Sequence, residues 1–178
     1  MSSDNRRYII VSTGRTGSSL LASILADAGA NFGMPSRDSW NPESGAYEHP
    51  LFWSAYKWYS RAKKIDASII PNAFGWQYSQ RKMQSELDQL MKQADFAKYP
   101  TGAIWLVHAI QKLGYDVRVI VNYRAFDEYA RSRYLRFGWG INRITEAYLD
   151  VYGTALMQLE YFGGCTVDFA EIVDRKET

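Results

Sequence analysis

The chain has 178 residues, of which 47% are hydrophobic, 15% aromatic and 22% charged. That is enough apolar side chain for one interior and the size of a single domain over residues 1–178, which excludes a disordered tail and a repeat array. Lys and Arg number 21 against 19 Asp and Glu, a net charge of +2, too small for a sequence-independent nucleic-acid binder that must neutralise many phosphates. The lone cysteine, Cys165, offers neither an intramolecular disulfide nor a Cys-based metal cluster, which suits a cytoplasmic setting. The opening residues carry no signal-peptide h-region and no run of about 20 apolar residues occurs, so no membrane span is expected.

Residues 8–12 (YIIVS) form a short β-branched run and read as a buried strand. A glycine loop follows, and then Leu20, Leu21, Ile24, Leu25 and Ala28 recur at helical spacing up to Gly29. Residues 35–50 (PSRDSWNPESGAYEHP) have no sustained period and read as a long loop on the substrate side. Helices are expected over residues 51–65, which are rich in aromatics, and over 81–96, where Met83, Leu87, Leu90 and Met91 share a side. After Pro100, Thr101 and Gly102, the residues Ile104, Val107, Ile110 and Leu113 predict another helix that stops at Gly114. Residues 117–123 (VRVIVNY) are the clearest second strand, followed by helices over 126–137 and 144–162. Gly163 and Gly164 then precede a third strand at 166–169. Strands separated by helices predict an α/β architecture in three layers, with a small, mainly parallel sheet flanked by helices.

Between the first strand and helix lies Gly14-Arg15-Thr16-Gly17-Ser18-Ser19. Glycine permits a tight turn, the helix start presents unpaired N–H groups, and Arg15 with three hydroxyls adds charged and neutral donors, so the loop can cradle a phosphate. An ordinary strand-to-helix turn with a serine cap would use the same residues. The nucleotide-triphosphatase pattern GxxxxGK[ST] is absent, because Ser18 follows Gly17 where the lysine would stand. A kinase would lose a principal phosphate-gripping charge there.

The run Arg15-Thr16-Gly17-Ser18-Ser19 resembles the 5′-phosphosulfate loop of the sulfotransferases that use 3′-phosphoadenosine 5′-phosphosulfate (PAPS), a strand followed by [KR]-[ST]-G-[ST]-[ST]. A second motif accompanies it. Residues 119–124 end a strand on Arg124, and Ser132 stands eight residues on, similar to the family's arginine and serine at the 3′-phosphate. Both side chains suit that ligand, the arginine as a planar fork and the serine as a hydroxyl donor, though each also fits an ordinary strand end or helix surface. Six arginines (118, 124, 131, 133, 136 and 143) face only Asp127 and Glu128 in this stretch, and they form either a local positive field or a solvated helix face.

Looser likenesses extend over most of the chain from Tyr8 to Val173. Asn41-Pro42-Glu43-Ser44-Gly45-Ala46-Tyr47-Glu48 resembles the N-P-x-x-G-x-[FY]-E loop of the bacterial-type and tyrosylprotein-like branch, Lys98-Tyr99-Pro100 resembles its Lys-x-Pro, and residues 166–173 its late strand and acidic turn. Two features depart from the family: Leu20 stands where many cytosolic members have an aromatic, and only Arg175-Lys176-Glu177 echoes the C-terminal R-K-G.

The resemblance implies a P-loop-type fold that transfers a sulfuryl group from PAPS to a hydroxyl and releases adenosine 3′,5′-bisphosphate (PAP), with no obligatory metal. Gly14, Arg15, Thr16, Gly17, Ser18, Ser19, Arg124 and Ser132 would bind the donor, with Arg15 and Lys98 at the departing oxygen and Glu48 as general base. A carboxylate at its aqueous pKa of ~4.3 is a weak base for an alcohol, so Glu48 would need burial beside Trp53 or Tyr47. His49, which titrates near neutrality, is the rival base, and both residues also fit a helix cap. His108 reads as an interior histidine, and Trp53, Tyr56, Trp58 and Tyr59 as core with one ring available for stacking. The acceptor is a small molecule or carbohydrate, with a lipid head group or peptide tyrosine also compatible; the sequence specifies no oligomeric state. Two alternatives stand beside this reading: an inactive nucleotide-binding protein of the same fold, and a small P-loop kinase.

Overall fold

In the computed structural model, which describes residues 5–12, 14–33, 47–66, 73–99 and 104–174, the chain alternates strands and helices. The order is β1 (Arg6–Val11), α1 (Ser18–Asp27), α2 (Pro50–Asp66), α3 (Ala73–Gln93), β2 (Phe96–Tyr99), α4 (Ile104–Lys112), β3 (Asp116–Tyr123), α5 (Phe126–Phe137), α6 (Ile141–Phe162), β4 (Gly164–Asp168) and α7 (Phe169–Asp174). All four strands are parallel, in the order β2-β1-β3-β4.

The period of two along the strands divides the sheet's faces between two helical layers. Ile9 and Val11 of β1 and Val117, Val119 and Val121 of β3 point into the larger core, against Phe52 of α2, Leu87, Leu90 and Met91 of α3, Leu106 and Ile110 of α4, and Ala155 and Phe162 of α6. Ile10 and Ile120 point the other way, onto Leu21 and Ala22 of α1 and Ile172 of α7. Both faces of the central strands are thus covered, which is why their sequences read as continuous apolar runs. Each fully buried Ile, Leu or Phe contributes roughly 1.5–3 kcal/mol over its exposed state. No helix among the described residues is long and apolar enough to cross a membrane.

Two expected elements are corrected in their bounds. The helix placed at 81–96 starts at Ala73 and stops at Gln93, and Phe96 belongs instead to a strand. Four residues are too few to display a period, so β2 exists because it pairs with β1, Tyr8 opposite Phe96 and Val11 opposite Tyr99. The strand placed at 166–169 spans Gly164–Asp168, and Phe169 opens α7. Gly164 enters the strand at φ 145°, where a β-carbon would lie 1.8 Å from the Val119 carbonyl oxygen, so pairing with β3 requires glycine. Residues 35–46 of the expected loop, Asn41 to Ala46 of the branch motif among them, lie outside the described residues, as do Pro100, Thr101, Gly102 and Arg175-Lys176-Glu177.

Strand order places the carboxyl ends of β1 and β3 side by side, while their onward connections lead to opposite edges of the sheet. That is the switch point at which open parallel sheets leave a crevice.

Candidate functional site

A cleft of about 570 Å³ opens at this point, and every strand end contributes to it. The β1–α1 loop supplies Gly14, Arg15, Gly17, Ser18 and Ser19; Lys98 comes from β2, Arg124 follows β3, and Phe169 follows β4. Glu48, from the segment before α2, and Arg133, Arg136 and Phe137 of α5 complete the wall.

The loop is a tight turn through left-handed backbone, with Arg15 at φ 81° and Gly17 at φ 80°. A non-glycine residue is rarely found there, so Arg15 adopts a conformation that the surrounding structure must enforce. Part of that enforcement is visible in Asn122, which is fully buried in β3 and whose Nδ2 donates to the Thr16 carbonyl at 2.9 Å. Gly17 caps α1 without a side chain, and no side-chain cap bond is made. The first-turn N–H groups of α1, which have no intrahelical acceptors, therefore lie beside Ser18, Ser19 and Leu20 at the cleft.

Phe169 explains why position 17 is glycine in space as well as in φ. A β-carbon at Gly17 would lie 2.1 Å from the Phe169 ring. The ring is set there by Asp168, whose carboxylate accepts the Ala170 N–H at 3.0 Å and the Tyr123 hydroxyl at 2.8 Å, joining the ends of β3 and β4 to the start of α7. Phe169 also supports the Arg124 guanidinium, 4.4 Å from the ring centroid.

Arg124 is held at several further points. Tyr152 accepts its backbone N–H at 3.0 Å, Tyr148 donates to its carbonyl at 3.0 Å, and Glu128 accepts from its Nε at 2.8 Å. Burial pushes the Tyr152 hydroxyl well above its ordinary pKa, so it serves as a neutral hydrogen-bonding group.

The two sequence motifs meet directly. Arg15 Nε donates to Ser132 Oγ at 3.1 Å, and an Arg124 terminal nitrogen donates to the Arg15 carbonyl at 3.4 Å. The guanidinium of Arg15 is partly desolvated and sits near Arg136, Arg124 and Arg133. Burial first, and then each of those like charges, lowers its pKa. Like charges crowded in this way repel one another, and an anion among them relieves that repulsion.

Buried Lys98 and partly buried Glu48 form an ion pair at the site, with side chains 2% and 13% exposed and 3.4 Å between Nζ and Oε1. Lys98 also donates to Ser19 Oγ at 2.9 Å, which ties β2 to the first turn of α1. Glu48 is partly buried, and the group beside it is the Lys98 ammonium; Trp53, expected to bury it, is 43% exposed. Tyr47 packs in the smaller core, its ring edge-on to Phe32.

His49, the rival base, is not brought to the cleft lining. It is buried, its Nδ1 accepts the Leu51 N–H at 3.2 Å, and its Nε2 has no partner among the described residues. With Nδ1 accepting, the ring proton belongs on Nε2, and the imidazole acts as a cap for α2. Burial lowers its pKa below the ordinary 6.5. The unfolded chain then binds a proton that the folded chain refuses, so His49 contributes stability above pH 6.5 that is lost as pH falls toward the lower folded value. We expect the melting temperature to decline across that acidic window, and His49→Asn, which retains a capping acceptor, to flatten the decline in a pH series of thermal melts.

Thr16 is fully buried and absent from the cleft wall, so of the loop residues it serves the turn. His108 is partly buried, with its ring against Tyr161 and Phe162. Trp58 and Tyr59 pack on the larger core, whereas Trp53 and Tyr56 are exposed beside each other. Sequence reading missed Phe169, Asn122, Tyr148 and Tyr152 as parts of the site. The last two carried a faint signal, since hydroxylated rings four residues apart share one face of α6.

Comparison with family models, with curated proteins and with solved structures returned no match.

Proposed function

We propose that the protein transfers a sulfuryl group from PAPS to a hydroxyl of an acceptor, releasing PAP. The observation that supports this reading is that one cleft at the crevice between β1 and β3 is lined both by the β1–α1 loop and by Arg124. A nucleotide bearing anionic groups at both ends would there meet the loop at one end and Arg124 at the other, whereas Ser132 is bonded to Arg15 and is not part of the cleft lining. The residues suit such a ligand: unpaired helix N–H groups and hydroxyls at one side, and a braced guanidinium fork at the other.

In the reaction, the loop amides, Arg15 and Lys98 stabilise the charge that develops on the departing oxygen. Glu48 takes the proton of the acceptor hydroxyl as its oxygen forms the new bond to sulfur, so the proton released leaves on the carboxylate. Lys98 contacts both Ser19 of the loop and Glu48. It thus links the group that steadies the donor to the group that activates the acceptor.

One observation favours a second reading, nucleotide binding without transfer: Glu48 and Lys98 are engaged with each other. Turnover across an acceptor panel separates the two. For the donor site itself, a thermal-shift screen with PAP, ATP, ADP and NAD is decisive. PAP at ~100 times its Kd is expected to stabilise the fold by about 2.7 kcal/mol, raising the melting temperature by roughly 5–11 °C. A shift with ATP and magnesium alone would point to a kinase.

A further inference from the structure

Asn122 breaks the apolar pattern of its strand. It is fully buried near the end of β3, on the face that carries Ile120 to the smaller core, and asparagine is a poor residue for a covered central strand. Half of its carboxamide is unused. Oδ1 has no hydrogen-bond partner among the described residues, and neither has the Oγ of fully buried Ser12, one residue beyond the Val11–Val121 pair. A buried polar atom without a partner costs stability, so packing alone does not account for an amide here. The other half is committed, with Nδ2 donating to the Thr16 carbonyl at 2.9 Å.

That bond fixes more than a carbonyl. The Thr16–Gly17 peptide is trans and planar, so its C=O and the N–H of Gly17 point in opposite directions. With the Thr16 oxygen turned down onto the end of β3, the Gly17 N–H is turned up and away from the sheet. Gly17 lines the cleft, and its N–H makes no hydrogen bond among the described residues. It stands at the cap of α1, where the positive end of the helix dipole adds to an unpaired donor. Glycine accepts φ of either sign, so position 17 does not itself hold this peptide against turning over. The Asn122 bond does.

We propose that Asn122 is a positioning residue for the donor, aiming the Gly17 N–H at the anionic group seated in the loop. In the sulfuryl-transfer reading, on which this inference rests for its ligand, that group is the 5′-phosphate end. Asn122 touches no ligand itself, being buried and outside the cleft lining. It acts through the peptide it holds. An N–H fixed before the ligand arrives needs no reordering on binding, and toward a charged oxygen it is roughly twice as strong as toward a neutral one.

Amide NMR spectra and calorimetry on the full chain, titrated with PAP and separately with inorganic pyrophosphate, test this. In the wild type the Gly17 amide proton is expected to move downfield at saturation with PAP. Asn122→Leu keeps a branched side chain without a donor and lets the Thr16 carbonyl turn over to solvent. It should weaken PAP binding by ~10-fold or more, the scale of one hydrogen bond to a charged group. The Gly17 movement should vanish with it, while the ligand-free melting temperature stays within ~4 °C of the wild type. Ser12→Ala, in the same buried layer, should keep PAP affinity within ~3-fold. A Gly17 proton that ignores bound PAP in the wild type overturns the proposal without any variant. Unchanged PAP affinity in Asn122→Leu overturns it, as does an equal loss in Ser12→Ala. A Gly17 proton that still moves in Asn122→Leu makes the side chain a support of the fold only, which overturns it equally. If PAP does not bind but pyrophosphate moves Gly17 in the wild type and not in Asn122→Leu, the sulfuryl-transfer reading fails while the positioning role stands. If neither ligand binds, both fail.

Discussion

Replacing Arg15 by alanine is expected to weaken PAP binding by at least ~30-fold while leaving the ligand-free protein as stable as before or more so. The two effects have separate causes. Removing one member of a buried, charge-assisted contact costs about 2–5 kcal/mol in binding, of which the lower bound is ~30-fold. In the free protein, however, Arg15 is surrounded by Arg124, Arg133 and Arg136, and its like-charge repulsion depresses its own pKa after burial has done so. Alanine removes that repulsion and gives up the bond to Ser132 Oγ, an exposed contact of modest value. The left-handed φ of 81° is unaffected, because any residue with a β-carbon carries that cost. Calorimetry with PAP and melts without it make the check. Unchanged PAP affinity would remove Arg15 from the site, and a large fall in ligand-free stability would mean that the side chain supports the fold instead of a ligand.

The second large effect is kinetic. Glu48→Gln should slow sulfuryl transfer by ~10²-fold or more, the usual scale for loss of a general base, with PAP affinity little changed. Glutamine keeps the shape and an oxygen facing Lys98, so the 3.4 Å contact can persist as a hydrogen bond while the capacity to accept the proton is lost. The expected signature is a fall in kcat without a matching rise in the KM for donor. Should His49→Ala abolish turnover while Glu48→Gln does not, the proton would have to leave by the imidazole. That outcome conflicts with an Nδ1 engaged in capping α2 and a ring outside the cleft lining.

Much of this site was legible in the sequence because its residues are local to strand ends. Arg15 and Ser18 are fixed to the first loop by a strand, a glycine and a helix start, and Arg124 and Ser132 to the second by a strand and eight residues of helix. Such short spacings survive folding unchanged. His49 and Glu48 could not be told apart in the same way. Adjacent residues on an irregular segment point in different directions, and which of them faces the cleft depends on what packs beside them, here Lys98 for one and the start of α2 for the other.

The sequence by itself determined the α/β alternation, the two buried central strands and the polar loop between β1 and α1, because hydrophobic period and glycine placement are properties of neighbouring residues. Tertiary structure alone decided that β2 is a strand, that β1 and β3 stand side by side with their cationic ends in contact, and that Phe169, some 150 residues from Gly17, seats on the loop. Those facts rest on pairing and packing between segments distant in the chain. No local pattern encodes them, since the free energy that selects them exists only once the partner is in place.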